Sequence, residues 1–109
     1  MLEPIVGSTS SEKVMMFLLA RREGYAREIA RFFEVDLAPI QNQLAKLESG
    51  GVLVSRAVGR TRLFAFNPRY PMIDELRALL EKTLQFYPDE LRERLLMNRR
   101  RPRRRGKPL

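Results

Sequence analysis

The chain changes its hydrophobic period at a glycine pair. Before Gly50-Gly51, the residues Ile40, Leu44 and Leu47 recur at helical spacing. After it, VLVSRAVGRTRLFAFNP is β-rich: Leu53, Ser55 and Ala57 alternate with Val52, Val54 and Val58. Gly59-Arg60 supplies a turn, and Leu63 with Ala65 and Phe64 with Phe66 continue the alternation until Asn67-Pro68. A helix that stops on glycine and runs directly into a two-stranded hairpin leaves few small folds open.

The segments on either side read as helices. MLEPIVGSTS is expected to be a mobile lead-in, with Leu2 and Ile5 available for packing. A first helix is expected after Ser10 or Ser11, because serine caps well and Glu12 suits the positive end of the helix dipole. Val14, Met15, Phe17, Leu18 and Leu19 make it apolar over most of its circumference, which places it inside a core or a subunit contact. Gly24 is expected to end it. A second helix is expected over Tyr25–Phe33, with Ala26, Ile29, Ala30 and Phe33 on one face and Arg27, Glu28 and Arg31 outside. A short connection leads to a third helix beginning near Asp36, a capping residue. Pro39 is tolerable there because it falls in the first turn. After Pro71 a fourth helix carries a stripe of Met72, Ile73, Leu76, Leu79, Leu80 and Leu84. Pro88-Asp89-Glu90 opens a further short helix in which Leu91 and Leu95 share a face.

Two helices joined by a tight turn, the second followed at once by a hairpin, make a winged helix-turn-helix plan. The expected class is therefore mainly α with a small β-hairpin: a three-helix core, a wing and C-terminal helices. The chain divides into a flexible lead (1–10), a DNA-binding winged helix-turn-helix domain (11–70), C-terminal helices suited to dimerisation (71–98) and a disordered basic tail (99–109).

Composition excludes several functions. Among 109 residues there is no cysteine and no histidine, which removes thiolate metal sites and the commonest general base. There is also no phosphate-cradling glycine loop and no convincing carboxylate pair, so no enzyme, metal or cofactor is expected. The longest apolar run, Val14 to Ala20, is too short to span a bilayer, and no secretory signal is visible. A cytoplasmic protein without a membrane partner is expected. The net charge is +8, but Arg99, Arg100, Arg101, Arg103, Arg104, Arg105 and Lys107 supply +7 of it, leaving residues 1–98 nearly neutral. The tail is expected to add sequence-independent affinity for nucleic acid, or to remain solvated.

The stretch YAREIARFFEVDLAPIQNQLAKLESGGVLVSRAVGRTRLFAFNP resembles winged helix-turn-helix regulators of the ArsR and MarR type. The likeness spans roughly Ser11 to Leu84. It rests on Ile29-Ala30 in the second helix, and on Leu44, Leu47 and Glu48 followed by glycine and the apolar pair Val52-Leu53. The chain departs from that pattern at three points. Glu34 stands where the turn often has glycine, Ala38 and Pro39 stand where Ser or Thr is common, and the cysteine and histidine clusters of metal-sensing members are missing. GRTRLFAFNPRYPMIDELRALLEKTL is similar also to winged-helix domains that accompany minimal nucleotidyltransferases, without the Gly-Ser turn and aspartates of the enzyme.

The plan assigns candidate contacts. Ala38, Pro39, Gln41, Asn42 and Gln43 are the candidates for base edges: Gln and Asn can bond bidentately to adenine, and small residues admit close approach. The alternative is a solvated helix face. Arg56, Arg60, Thr61 and Arg62 form the wing, in a stretch from Ser49 to Ile73 that contains no acid. They suit phosphate or minor-groove contact, or protection of an exposed hairpin edge. Arg27, Arg31 and Lys46 are further backbone candidates or ordinary surface charges. Val14, Phe17, Leu76, Leu79, Leu80 and Leu84 are candidates for a homodimer contact or for the monomer core. The expected function is a regulator binding double-stranded DNA at a pseudo-palindromic operator as a homodimer, with no inducer site visible. The alternative is a protein-interaction or RNA-associated module whose affinity comes from the tail.

Overall fold

The computed structural model describes residues 1–97, so the arginine-rich segment lies outside the described residues. The elements run α1 (Glu3–Val6), α2 (Thr9–Arg21), β1 (Glu23–Tyr25), α3 (Ala26–Phe33), α4 (Leu37–Ser49), β2 (Leu53–Val58), β3 (Thr61–Phe66), α5 (Ile73–Gln85) and α6 (Asp89–Leu96). This is the mainly helical winged plan expected, with one strand more than the hairpin.

α2 is the axis of the core. Val14, Met16, Phe17 and Leu18 are buried, and α4, α5, α6 and α3 all pack against this helix. Ile29 from α3, Ile40 and Leu44 from α4, Leu53, Phe64 and Phe66 from the sheet, and Ile73, Leu80 and Leu95 from α5 and α6 complete one cluster. The C-terminal helices thus share a core with the helix-turn-helix. Val14, Phe17 and Leu80 have no exposed surface and belong to the core cluster, so of the two readings they take the monomer core rather than the subunit contact. Leu76, Leu79 and Leu84 are partly buried against the same core.

The lead-in is structured. α1 is a single turn, and Gly7 at φ 101 reverses the chain behind it. The start of α2 lies earlier than expected: Ser8 is the cap, its hydroxyl accepting the Ser11 N–H at 3.0 Å. Leu2 is buried, and its N–H donates to the buried Glu12 carboxylate at 2.7 Å. The N-terminal ammonium reaches the same carboxylate at 3.2 Å, and the Tyr87 hydroxyl donates to its other oxygen. Burial, with Glu12 adding to it, holds the Tyr87 hydroxyl above the usual phenol range.

α2 ends at Arg21, before Gly24. Arg22 at φ 76 turns the chain into β1, whose Glu23, Gly24 and Tyr25 pair antiparallel with Ala65, Phe64 and Leu63. The sheet order is β1-β3-β2. β3 is therefore the middle strand, which explains why Leu63, Phe64 and Phe66 are buried while β2 buries only Leu53. Gly24 is required by space: a Cβ there would stand 2.7 Å from Cε1 of Phe17.

Candidate nucleic-acid interface

The turn between α3 and α4 is built without glycine. Glu34 takes the left-handed conformation at φ 56, ψ 50, and Val35 N–H returns to the Ala30 carbonyl at 3.0 Å. Asp36 stands at the N-cap of α4, but its side chain makes no capping bond, contrary to expectation. Pro39 is the third residue of α4, where a missing N–H costs nothing. Gly51 at φ 84 takes the left-handed turn that releases the chain into the wing.

These boundaries fix which face of α4 looks outward. Ile40 and Leu44 are buried and Leu47 packs against the core. Ala38, Pro39, Gln41, Asn42, Ala45 and Lys46 are exposed, and Gln43 is half-buried at the flank. The carboxamides of Gln41, Asn42 and Gln43 have no hydrogen-bond partner among the described residues. Their donors and acceptors are therefore satisfied by solvent or by a partner.

The wing is a two-residue hairpin, with Val58 opposite Thr61. Of its two turn residues only Gly59 has positive φ, at 61, which fits a type II′ turn. A groove of about 480 Å³ lies between the wing and α4. Gln41 and Ala45 line it from α4, Arg60, Thr61 and Arg62 from the wing tip, and Arg27 from the start of α3. The fold thus gathers Gln41, Arg27, Arg60, Thr61 and Arg62 around one opening. Ala38, Pro39, Asn42, Gln43 and Lys46 sit elsewhere on α4, outside that lining.

Two of the wing arginines are engaged within the chain. Arg62 Nε donates to Ser55 Oγ at 2.9 Å, and Ser55 Oγ donates to Glu48 Oε2 at 2.6 Å. Arg56 lies on the opposite face of the sheet, 3.9 Å from Glu23. The wing is acid-free along the chain but not in space, because β1 and the end of α4 each bring it a carboxylate. Arg27, Arg31, Lys46 and Arg60 make no ion pair among the described residues. Among the described residues, no group of three or more acids, histidines or cysteines could hold a metal ion. No helix of the described residues is long and apolar enough to cross a membrane.

Arg31 opens onto a second groove, of about 530 Å³, beyond α3. Here Arg21 and Arg94 flank the Phe32 ring, with guanidinium carbons 5.3 and 4.9 Å from its centroid. Arg21 also donates to the Leu95 and Arg94 carbonyls at 2.8 and 2.9 Å, tying the end of α6 to α2. Neither the arginine cluster nor Glu23 and Glu48 at the wing was visible from sequence, because each depends on pairing distant in the chain.

No family model and no curated protein matches the chain. Solved structures do match its fold. A variant of ZitR from Lactococcus lactis in apo form superposes with a TM-score of 0.54 at 24% identity, covering 78% of this chain and 73% of that one. Wild-type ZitR from the same organism, in complex with DNA, gives 0.50 at 19% identity, covering 85% and 71%. The adhesin competence repressor AdcR from Streptococcus pyogenes gives 0.50 at 14% identity, covering 84% and 77%. The chain has the fold of these winged-helix proteins.

Proposed function

We propose that the protein is a DNA-binding transcriptional regulator that presents α4 to the major groove and its wing to the adjoining backbone, working in the cytoplasm. One observation carries this reading: the unpartnered carboxamide of Gln41 and the small side chain of Ala45 face a groove whose far wall is the arginine-bearing wing tip. An α-helix fits the major groove, and Gln or Asn can read adenine there. The fold shared with a repressor and with a protein solved on DNA supports the same reading. Ala38, Pro39, Asn42 and Gln43 complete the base-reading set, and Arg27, Arg31, Lys46, Arg56, Arg60, Thr61 and Arg62 the backbone set. With no cysteine or histidine, any control of binding works without thiolate or imidazole metal ligands.

The regulator acts as a homodimer on half-sites about one helical turn apart. Leu76, Leu79 and Leu84 keep part of their surface, and Phe86 beside them is 62% exposed. Light scattering at micromolar concentration checks this: Phe86→Glu converts a dimer to a monomer, and a clean wild-type monomer refutes it.

Selection from random duplex DNA at about 150 mM salt, where weak phosphate binding fades, tests the main reading. An enriched motif supports it; no enrichment refutes sequence-specific regulation. Deleting Arg99 to Leu109 separates the alternative. Specific binding survives in a regulator, and the salt slope falls by at most about 6 units if every tail charge met a phosphate. Loss of all binding would leave the tail as the binding element and the winged helix as its scaffold.

A further inference from the structure

The two grooves meet over the end of β1. β3 begins at Thr61, but β1 stops at Tyr25, opposite Leu63, so the tip of β3 is uncovered on that side. Tyr25, Arg27 and Thr61 line both grooves at this notch. On one side lies the α4–wing groove. On the other lies a surface with Arg21, Arg31 and Arg94 and a single carboxylate, Glu28, which accepts the Tyr25 N–H at 3.2 Å. Arg27 and Arg31 are exposed and make no ion pair among the described residues. Arg94 is exposed too, with its guanidinium over the Phe32 ring and Nη2 3.4 Å from the Phe32 carbonyl.

We infer that a nucleic-acid backbone crosses this notch, and that Arg31 on α3 and Arg94 on α6 hold phosphates beyond those held by the helix and wing. The inference rests on the DNA-binding reading and extends it to the C-terminal helix. Three properties favour an extended polyanion over a compact anion. The groove is open, it continues into the groove beside α4, and its cations come from both of its walls. Arg21 sets the placement of Arg94: it holds the Arg94 and Leu95 carbonyls and shares the Phe32 ring. Phosphate contacts of this kind position the protein and carry no sequence information.

The test uses the full chain with Arg31→Gln and Arg94→Gln, beside Gln41→Ala, on the selected duplex with long flanks and on the same motif trimmed to its edges. Circular dichroism melting confirms that the variants fold. On the long duplex, Arg31→Gln and Arg94→Gln each lower the salt slope by about 0.9, the value for one lost B-DNA phosphate contact. On the trimmed duplex they bind like the wild type, whereas Gln41→Ala loses affinity on both. If the two arginine variants match the wild type on the long duplex while Gln41→Ala weakens it, the notch carries no backbone and the inference falls, with the DNA reading intact. If no duplex is bound specifically by any form, both fall together. If the arginine variants lose only binding of inorganic phosphate, followed by amide chemical shifts, the groove is a small-anion site and the inference is overturned.

Discussion

Helices α2 and α4 each contain 13 residues, yet α2 buries seven of them and α4 only two. α2 is surrounded by α3, α4, α5 and α6, so nearly every direction around it is core. α4 rests on the same core through Ile40 and Leu44, with Leu37 and Leu47 packed at the margin, and gives its outer face to solvent. Equal lengths of helix are therefore under different constraints. Side chains on α2 answer to packing density, and those on the outer face of α4 answer only to a partner. Substitutions on the first should appear as stability, and on the second as binding.

Phe17→Ala is expected to have the largest effect. The ring has no exposed surface and meets Phe32 edge-on at 5.6 Å. Its removal costs about 3–5 kcal/mol, much of the stability of a small domain, read by urea denaturation. Gln41→Ala and Asn42→Ala give the opposite profile. Stability stays within about 0.5 kcal/mol, while each loses about 1–3 kcal/mol of discrimination at its base pair, read by competition against mismatched duplexes. If Gln41→Ala destabilised the fold as Phe17→Ala does, the contrast between the helices would collapse.

Gly24→Ala sharpens the packing side of the comparison. The added methyl meets Phe17 at 2.7 Å, so the cost is overpacking of about 1–3 kcal/mol, and Phe17→Leu in the same chain should relieve part of it. Arg21→Met retains the aliphatic stem but removes the bonds to α6. Allowing for its partial exposure, the loss is about 1–2 kcal/mol, with faster amide exchange confined mainly to Asp89–Leu96. The smallest effect is a gain. Glu34→Gly releases a left-handed β-carbon and should stabilise by about 0.5 kcal/mol, net of the freedom glycine adds to the unfolded chain. A loss instead would show that the Glu34 side chain contributes something its backbone conformation does not reveal.

What could be read beforehand follows from how local each signal is. α3, α4 and the hairpin were legible because helical and alternating periods, and a glycine turn, are written within a few residues. β1 was not. Three residues cannot show alternation, and Glu23–Tyr25 is a strand only because β3 lies alongside it. Gly24 suggests a helix stop in the sequence, whereas its constraint is the Phe17 ring beside it. The apolar stripe of α5 was ambiguous between core and subunit contact. The fold divides it, with Leu80 inward and Leu76, Leu79 and Leu84 partly open. At the candidate interface, the outward face of α4 followed from spacing alone. The engagement of Arg62 and Arg56 and the arginines around Phe32 did not, since Arg94 stands 62 residues from Phe32 in the chain.

The Ser55 hydroxyl has a consequence for binding entropy. By accepting from Arg62 and donating to Glu48, it links the middle of the wing to the last turn of α4 before any partner arrives. An arginine already held in one rotamer forfeits less freedom on docking, and an immobilised long side chain otherwise costs about 0.5–1.5 kcal/mol. The relay also lets motion of the hairpin be felt at the base-reading helix. Ser55→Ala would cut that link while leaving both ends intact, so the wing and α4 would meet DNA as two separately moving parts.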